Sequence, residues 1–199
     1  MCLKPAFRTL ALFSLSFVLV SITAVPAHAD ARATGAIPAE LESLLKTMNE
    51  RLQIADLVAL TKWDSGKPIQ DSDRESKVIA NAQRQAVGYG VGEEDSQQLL
   101  AAQIEANKLV QYGLLAAWHT AGQAPQTQRP DLNNQIRPHL DELQSRLLEQ
   151  FARFQPFRRN AQCSAWLSQG SQKLANDPLH ELAIIRATGE LCIRGTPPV

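Results

Sequence analysis

Two cationic side chains interrupt the apolar side of the first amphipathic segment. Arg51 and Lys62 lie eleven residues apart, which on a helix of about 100° per residue leaves only about 20° between them. Leu52 and Ala59, on the apolar stripe, flank them. Cations this close to a core need a partner, so the two together could bind an anion. Each alone is also typical of a side chain that extends along a core edge to water.

A pair of amides occupies a similar position further along the chain. Asn107 and Gln111 are four residues apart and would adjoin each other on one face of a helix. The apolar stripe beside them contains Ile104, Ala106 and Val110. The pair could therefore contact a ligand held near the core, although such pairs are often simply exposed.

The segment TKWDSGKPIQDSDRESK, residues 61–77, is dense in charges of both signs. It is consistent with a solvated turn between two helices, in which Asp71 and Arg74 form a cap and a surface ion pair of little energetic value. It is also consistent with a site in which Lys62 and Arg74 together hold something negative.

The elements that must position these residues are helices. No segment shows sustained alternation of apolar and polar residues, so no strand is predicted. Apolar residues instead recur at spacings of three and four. We therefore predict an all-α, single-domain bundle of about six helices. It has three long N-terminal helices, at roughly 38–63, 72–87 and 93–119, a fourth long helix, and a C-terminal pair between 160 and 199.

Local sequences predict where the helices begin and end. Gly66 and Pro68 end the first helix. The sequence SDRE that follows predicts a capping box, with Ser72 at the cap and Glu75 three residues on. Pro138 leaves two possibilities for the fourth helix: it begins there, or residues 131–137 form a separate turn that bends into it.

The last helix has a strong start signal. Asp177 followed by Pro178 predicts a cap and a first-turn proline. The inward face of this helix is predicted to consist of Leu179, Leu182 and Ile185.

The N-terminus has the order of a secretory signal peptide. Lys4 and Arg8 precede an apolar run of about 13 residues, and the small-residue sequence AHA ends at Ala29. The run is shorter than the roughly 20 residues that a membrane span needs. We expect cleavage of residues 1–29 to leave an exported domain, residues 30–199, with no membrane attachment.

Charge argues against a nucleic-acid partner. The whole chain carries 20 Lys+Arg and 20 Asp+Glu. Removal of the expected signal peptide, which has two bases and no acid, leaves a formal charge of −2. A nucleic-acid binder normally has a basic excess or stripe, so any anion is expected to be recognised locally.

Two cysteines remain after the signal peptide and its Cys2 are removed. In an exported chain Cys163 and Cys192 are expected to form a disulfide. Closing a loop of about 30 residues would contribute roughly 3 to 4 kcal/mol on the chain-entropy account. Zinc is the competing interpretation, but neither Cys has a further Cys or His close by in the sequence.

The usual signatures of hydrolytic chemistry are missing from the sequence. His119, His139 and His180 lie outside any motif for a Ser or Cys nucleophile, and no His-Glu-x-x-His metal motif is present. A carboxylate pair of the glycosidase kind stays open, although each acid can also be a surface or cap residue.

Four ordered segments and the cysteine pair carry more information together than apart. ERLQIADLVALTKW, PIQDSDR and QIEANKLVQY are followed by an Arg ahead of a Leu-rich fourth helix, and then by the two C-terminal cysteines. This order, from about Glu50 to Cys192, resembles the secreted, or gamma, subclass of the all-helical chorismate mutases. In that family the active site lies inside a helical bundle and binds a dianion that rearranges to prephenate.

The resemblance implies a set of side chains that bind this substrate. Arg51 matches the first-helix arginine that binds a carboxylate, and Arg74 matches a second carboxylate-binding arginine. Arg137 matches the last arginine if a small gap is placed beside NNQIRP. Asp71 matches the acid that accepts a hydrogen bond from the substrate hydroxyl.

The resemblance also implies two donors to the ether oxygen of the bond that breaks. Lys62 matches the catalytic lysine, and Gln111 falls on the Gln or Glu that shares the ether oxygen with it. Asn107 falls where relatives carry Ser or Thr, and is implied to contact the substrate.

The implied function is the unimolecular rearrangement of chorismate to prephenate, for which no cofactor or metal is expected. The implied protein is a homodimer in the periplasm or outside the cell, with a complete site in each chain. From the residues alone, an exported helical module that binds an aromatic carboxylate or a partner protein without turnover stays open. A purely structural helical protein also stays open.

Overall fold

The computed structural model describes residues 35–174 and 176–193. Within these residues the chain is helical and has no strand. Six α-helices follow one another there: α1 (Ala39–Ser65), α2 (Ser72–Ala86), α3 (Glu93–Ala121), α4 (Arg137–Phe154), α5 (Cys163–Gln172) and α6 (Pro178–Thr188). This confirms the predicted all-α fold. The expected signal peptide, residues 1–29, lies outside the described part of the chain, in which no helix is both long and apolar enough to cross a bilayer.

α1 contacts most of the bundle. It packs chiefly against α3 and α4, and less extensively against α5 and α6. The side chains at its predicted apolar stripe are all buried: Leu41, Leu45, Met48, Leu52, Ala55 and Ala59. Gly66 ends the helix in a left-handed conformation (φ 63°), with its N–H donating to the carbonyl of Lys62, as is common for a glycine after a helix.

The cap of α2 lies one residue earlier than predicted. Asp71, not Ser72, is the cap residue: its carboxylate accepts from the backbone N–H of Arg74 at 3.1 Å. Glu75 completes the box by accepting from the backbone N–H of Asp71 at 3.2 Å. A carboxylate at this position accepts a charge-assisted hydrogen bond and also interacts favourably with the helix dipole.

α4 follows a separate turn, which is the second of the two possibilities at Pro138. Residues Leu132–Ile136 form one π-helical turn, in which the N–H of Ile136 donates to the carbonyl of Asp131 at 3.0 Å. The Asp131 carboxylate caps this turn by accepting from two backbone N–H groups, at 2.7 Å each. Arg137 is therefore held at the junction of the turn and α4, with Pro138 in the first turn of the helix.

α5 and α6 are joined by the disulfide. Cys163 is the first residue of α5 and is bonded to Cys192, which follows α6; their Cα atoms are 5.8 Å apart. This confirms the predicted pairing. Asp177 caps α6 as predicted, by accepting from the N–H groups of Leu179 and His180.

The predicted inward face of α6 is wrong for two of its three residues. Leu182 and Ile185 are 58% and 56% exposed. The buried side chains of α6 are His180, Ala183, Ile184, Ala187 and Thr188. Both sets fit a helical repeat, but α6 packs against α3, and small alanines on the contact face permit a short distance between helix axes.

We predict that replacing both cysteines, Cys163→Ala with Cys192→Ala, lowers the free energy of unfolding by about 3 kcal/mol, because the crosslink restricts the unfolded chain. The bond joins residues 29 apart. Urea unfolding of the oxidised wild type and the double variant measures the difference. Reduced wild type should match the variant, and equal midpoints for oxidised wild type and variant would contradict the prediction.

Candidate active site

One cavity of about 150 Å³ lies among α1, α2, α3, α4 and the turn before α4. All seven side chains predicted for substrate binding line it: Arg51 and Lys62 from α1, Asp71 and Arg74 from the start of α2, Asn107 and Gln111 from α3, and Arg137 from α4. Side chains 86 positions apart in sequence are thus gathered around one space.

Arg51 is a deeply buried cation of the cavity, with 8% of its surface exposed. Its Nη1 donates to the carbonyl of Leu140 on α4 at 3.0 Å. Its Nε is buried and has no hydrogen-bond partner among the described residues. Burial lowers the pKa of Arg51 to about 10, and the nearby Asp141 opposes that shift. The side chain is still charged at neutral pH, so it offers an incompletely paired guanidinium to the cavity.

Arg158, a buried arginine outside the cavity, allows a comparison of hydrogen-bond pairing. Its Nη1 donates to Asp95 at 2.7 Å, and its Nε and Nη2 donate to the carbonyls of Leu191 and Glu190 at 2.9 and 3.0 Å. All three nitrogens are paired, whereas Arg51 has one protein bond. Since an unpaired buried donor is costly, the contrast indicates that Arg51 is arranged for a partner that enters the cavity.

Lys62 lies in the last turn of α1, at the edge of the cavity. Its Nζ donates to the carbonyl of Pro68 at 2.6 Å, which ties the loop between α1 and α2 to the helix end. Burial lowers the pKa of Lys62; Asp71 partly reverses the shift, while Arg137 and Lys67 add to it. An ammonium has three N–H donors, so two stay available for a ligand.

The two amides of α3 are coupled to each other and to α1. Gln111 donates through Nε2 to Oδ1 of Asn107 at 2.7 Å, and Asn107 donates through Nδ2 to the carbonyl of Arg51 at 3.2 Å. The second bond fixes α3 against α1 at the cavity. Gln111 is buried, and its Oε1 lacks a partner in residues 35–174 and 176–193.

The remaining predicted residues lie at the beginnings of α2 and α4. Asp71 and Arg74 share the first turn of α2 through the cap bond, and both line the cavity. Arg137 lines it from the start of α4, where its Nη1 donates to the side chain of Asn133.

Sequence reasoning missed several polar side chains that line the cavity: Glu75, Gln103, Lys108, Asp141 and Gln144. Lys108 was detectable, because it lies four residues after Ile104 on α3, within the apolar stripe. Gln103 was detectable too, since it precedes Asn107 by one helical turn. The acids gave no such signal. In the described part of the chain, no group of three or more His, Cys, Asp or Glu side chains could hold a metal ion.

Comparison with known proteins gives the family. The sequence model described as "Chorismate mutase type II" matches residues 42–112, which span most of α1, α2 and much of α3. The secreted chorismate mutase of Mycolicibacterium smegmatis is 28% identical over 177 residues, which cover 87% of this chain and 97% of that protein. The crystal structure of chorismate mutase from Burkholderia phymatum is 40% identical, has a TM-score of 0.74, and is matched over 96% of its length and 77% of this chain.

The chain belongs to the secreted all-helical chorismate mutases. The crystal structure of secreted chorismate mutase from Yersinia pestis is also similar, with a TM-score of 0.65 and 28% identity over 75% of this chain and 94% of that one. The family inferred from the ordered segments is confirmed. The roles of individual residues in this chain stay predictions.

We predict that Arg51→Met leaves the melting temperature unchanged or raises it, because an apolar side chain of similar size removes a buried and incompletely paired charge. Arg158→Met is the matched control. It should lower the free energy of unfolding by about 2 kcal/mol, because three hydrogen bonds are lost and their acceptors stay partly buried. Thermal and urea unfolding measure both. A larger loss of stability for Arg51→Met than for Arg158→Met would contradict the assignment.

Proposed function

We propose that the chain rearranges chorismate to prephenate in this cavity. The observation that carries the proposal is the concentration of cations: Arg51, Lys62, Arg74 and Arg137 line one space of about 150 Å³, in a chain with no net formal charge. Chorismate is a dianion, and a cavity with several guanidinium groups provides charge-assisted, often bidentate, bonds for two carboxylates.

The arginines come from three helices, which suits a substrate with two separated carboxylates. Arg51 offers its buried Nε and its remaining guanidinium N–H groups. Arg74 and Arg137 approach from α2 and α4. Binding both carboxylates would hold the flexible substrate in the compact chair that the reaction requires, and such positioning can supply much of the rate enhancement.

Lys62 and Gln111 are the proposed donors to the ether oxygen. In a [3,3] rearrangement the C–O bond breaks while a C–C bond forms within the same molecule, and negative charge develops on the ether oxygen. Lys62 keeps two N–H donors beyond its bond to Pro68, and Gln111 keeps one beyond its bond to Asn107. Donors fixed in place before the reaction stabilise such charge without reorganisation.

Other lining groups complete the proposed site. Asp71 is proposed to accept from the substrate hydroxyl through the carboxylate oxygen that does not cap α2. Val58, Ile69 and Leu132 add apolar surface to the lining. Replacing water around the substrate by apolar groups strengthens the interactions of the charged ones. No proton transfer, nucleophile or redox step is needed, so the chain's work is binding, positioning and electrostatic stabilisation.

We further infer a homodimer in which each chain carries a complete site. The dimer is what the family resemblance implies, and the seven proposed substrate contacts, which all belong to one chain, support a complete site in each copy. Pairing of two chains is then a matter of assembly and stability, and adds no substrate-binding group.

We predict that Lys62→Ala lowers kcat for loss of chorismate by about 100- to 1000-fold, the usual effect of removing one donor to a developing oxyanion. Lys67→Ala is the matched control, because Lys67 is an exposed lysine of the same loop region and does not line the cavity. It should retain activity within about twofold, as surface charges usually do. Chorismate absorbance gives the rates. A wild type that binds chorismate without turnover would favour a binding module instead.

We predict that kcat/KM changes little between pH 5 and 7.5, since a Gln amide donates at every pH in that range. Gln111→Glu should behave differently. A carboxyl donates only when protonated, so activity of the variant should fall as pH rises through the pKa of the new Glu. Parallel pH profiles test the pair, and a steep decline of the wild type over this range would contradict the role given to Gln111.

A further inference from the structure

We propose that Lys108 is a positioning residue that fixes the first turn of α2, and with it Asp71 and Arg74, against α3. The inference rests on the proposed function, because that function gives those two side chains their roles. Lys108 would act through the turn and not through the substrate.

Lys108 is the single Lys or Arg residue of α3 and is only 7% exposed. Its Nζ reaches three acceptors, one on its own helix and two beyond it. The distances are 2.7 Å to Glu105, 3.2 Å to Glu75 of α2 and 3.2 Å to Oε1 of Gln70 in the preceding loop. All three N–H donors of the ammonium can therefore be used.

The acceptors outweigh the cost of burying the charge. Burial alone would lower the pKa of Lys108, but its hydrogen bonds to Glu105 and Glu75 and their negative charge raise it. Lys108 therefore stays charged at neutral pH. A long, entropically costly side chain held this way provides a fixed strut between α3 and the start of α2.

The Lys108 side chain contacts the residues that cap α2. Glu75 accepts from Lys108 with Oε2 and from the backbone N–H of Asp71 with Oε1. Asp71 in turn accepts from the backbone N–H of Arg74. Gln70, the third acceptor, directly precedes Asp71. One ammonium therefore contacts both the residue before the cap and the residue that closes the box.

This end of α2 has little other support. The fully buried side chains of α2 are Ala82 and Ala86, in its second half, and Val78 and Ile79 are half-buried. Asn107 already fixes α3 to α1 through the carbonyl of Arg51. Lys108 extends that rigid pair to the α2 turn, so that Asp71 and Arg74 keep their position relative to Arg51.

Lys108→Met tests the proposal, with Lys108→Arg as the conservative variant. We expect Lys108→Met to lower kcat/KM by about 10- to 100-fold, the effect of a small misplacement of binding groups, with KM carrying most of the loss. Lys108→Arg keeps a charged donor within reach of Glu75 and should recover most of it. Glu105→Ala is the matched control, because it removes the bond on α3 but keeps the link to α2, and should stay within about twofold.

Hydrogen exchange of the wild type and Lys108→Met gives a readout independent of catalysis. The backbone N–H groups of Asp71 and Arg74 should exchange faster in the variant, and those at the centre of α3 should not. A higher KM with unchanged exchange would mean direct substrate contact and would overturn the proposal. Lower kcat at unchanged KM would mean loss of an interaction made only in the transition state, not displacement of substrate-binding groups, and would overturn it too. A wild type without turnover defeats the proposed function, and the exchange data still decide the role of Lys108.

Discussion

The constraint on which the structure depends is the burial of positive charge inside a helical bundle. Arg51 lies between α1 and α4 with a buried Nε that has no partner in the described residues. Such a group costs stability, because a desolvated charge with too few hydrogen bonds is disfavoured. The rest of the bundle tolerates the cost through an extensive apolar core, to which the N-terminal part of α1 contributes residues such as Leu41, Leu44 and Met48. The cavity lined by Arg51 is therefore suited to an anion.

The helices divide the work around that cavity. α1 and α3 form the frame, joined through Asn107 and the carbonyl of Arg51. The beginnings of α2 and α4 are attached to the frame by polar contacts and bring further charged groups to it. Both beginnings use an Asp as cap, Asp71 for α2 and Asp131 for the turn before α4. The residues that cap α2 and the turn before α4 therefore also place Arg74 and Arg137 at the cavity.

Much of this was available from the sequence, for physical reasons that can be named. Periodicity alone placed Arg51 and Lys62 on one side of a long helix, because eleven residues are close to three whole turns. The order of short segments identified the family, and with it a site composed from four helices. Neither source could supply tertiary contacts such as the bond from Lys62 to Pro68 or the three acceptors around Lys108.

The errors also have physical causes. The cap of α2 was assigned to Ser72, although Asp71 beside it is a better acceptor for an N-terminal N–H. On α6, large apolar residues were given the inward face, but the close contact with α3 is made by Ala183 and Ala187. In both cases two neighbouring frames satisfied the local pattern. On α6 the packing of α3, which a single segment does not encode, decides between them.

A cavity lined by seven proposed contacts from a single chain has a consequence for assemblies. An inactive copy paired with an active one would withdraw no group from its neighbour's cavity. The activity of mixed assemblies should then fall only in proportion to the fraction of inactive subunits. A loss-of-function variant would therefore not be dominant negative.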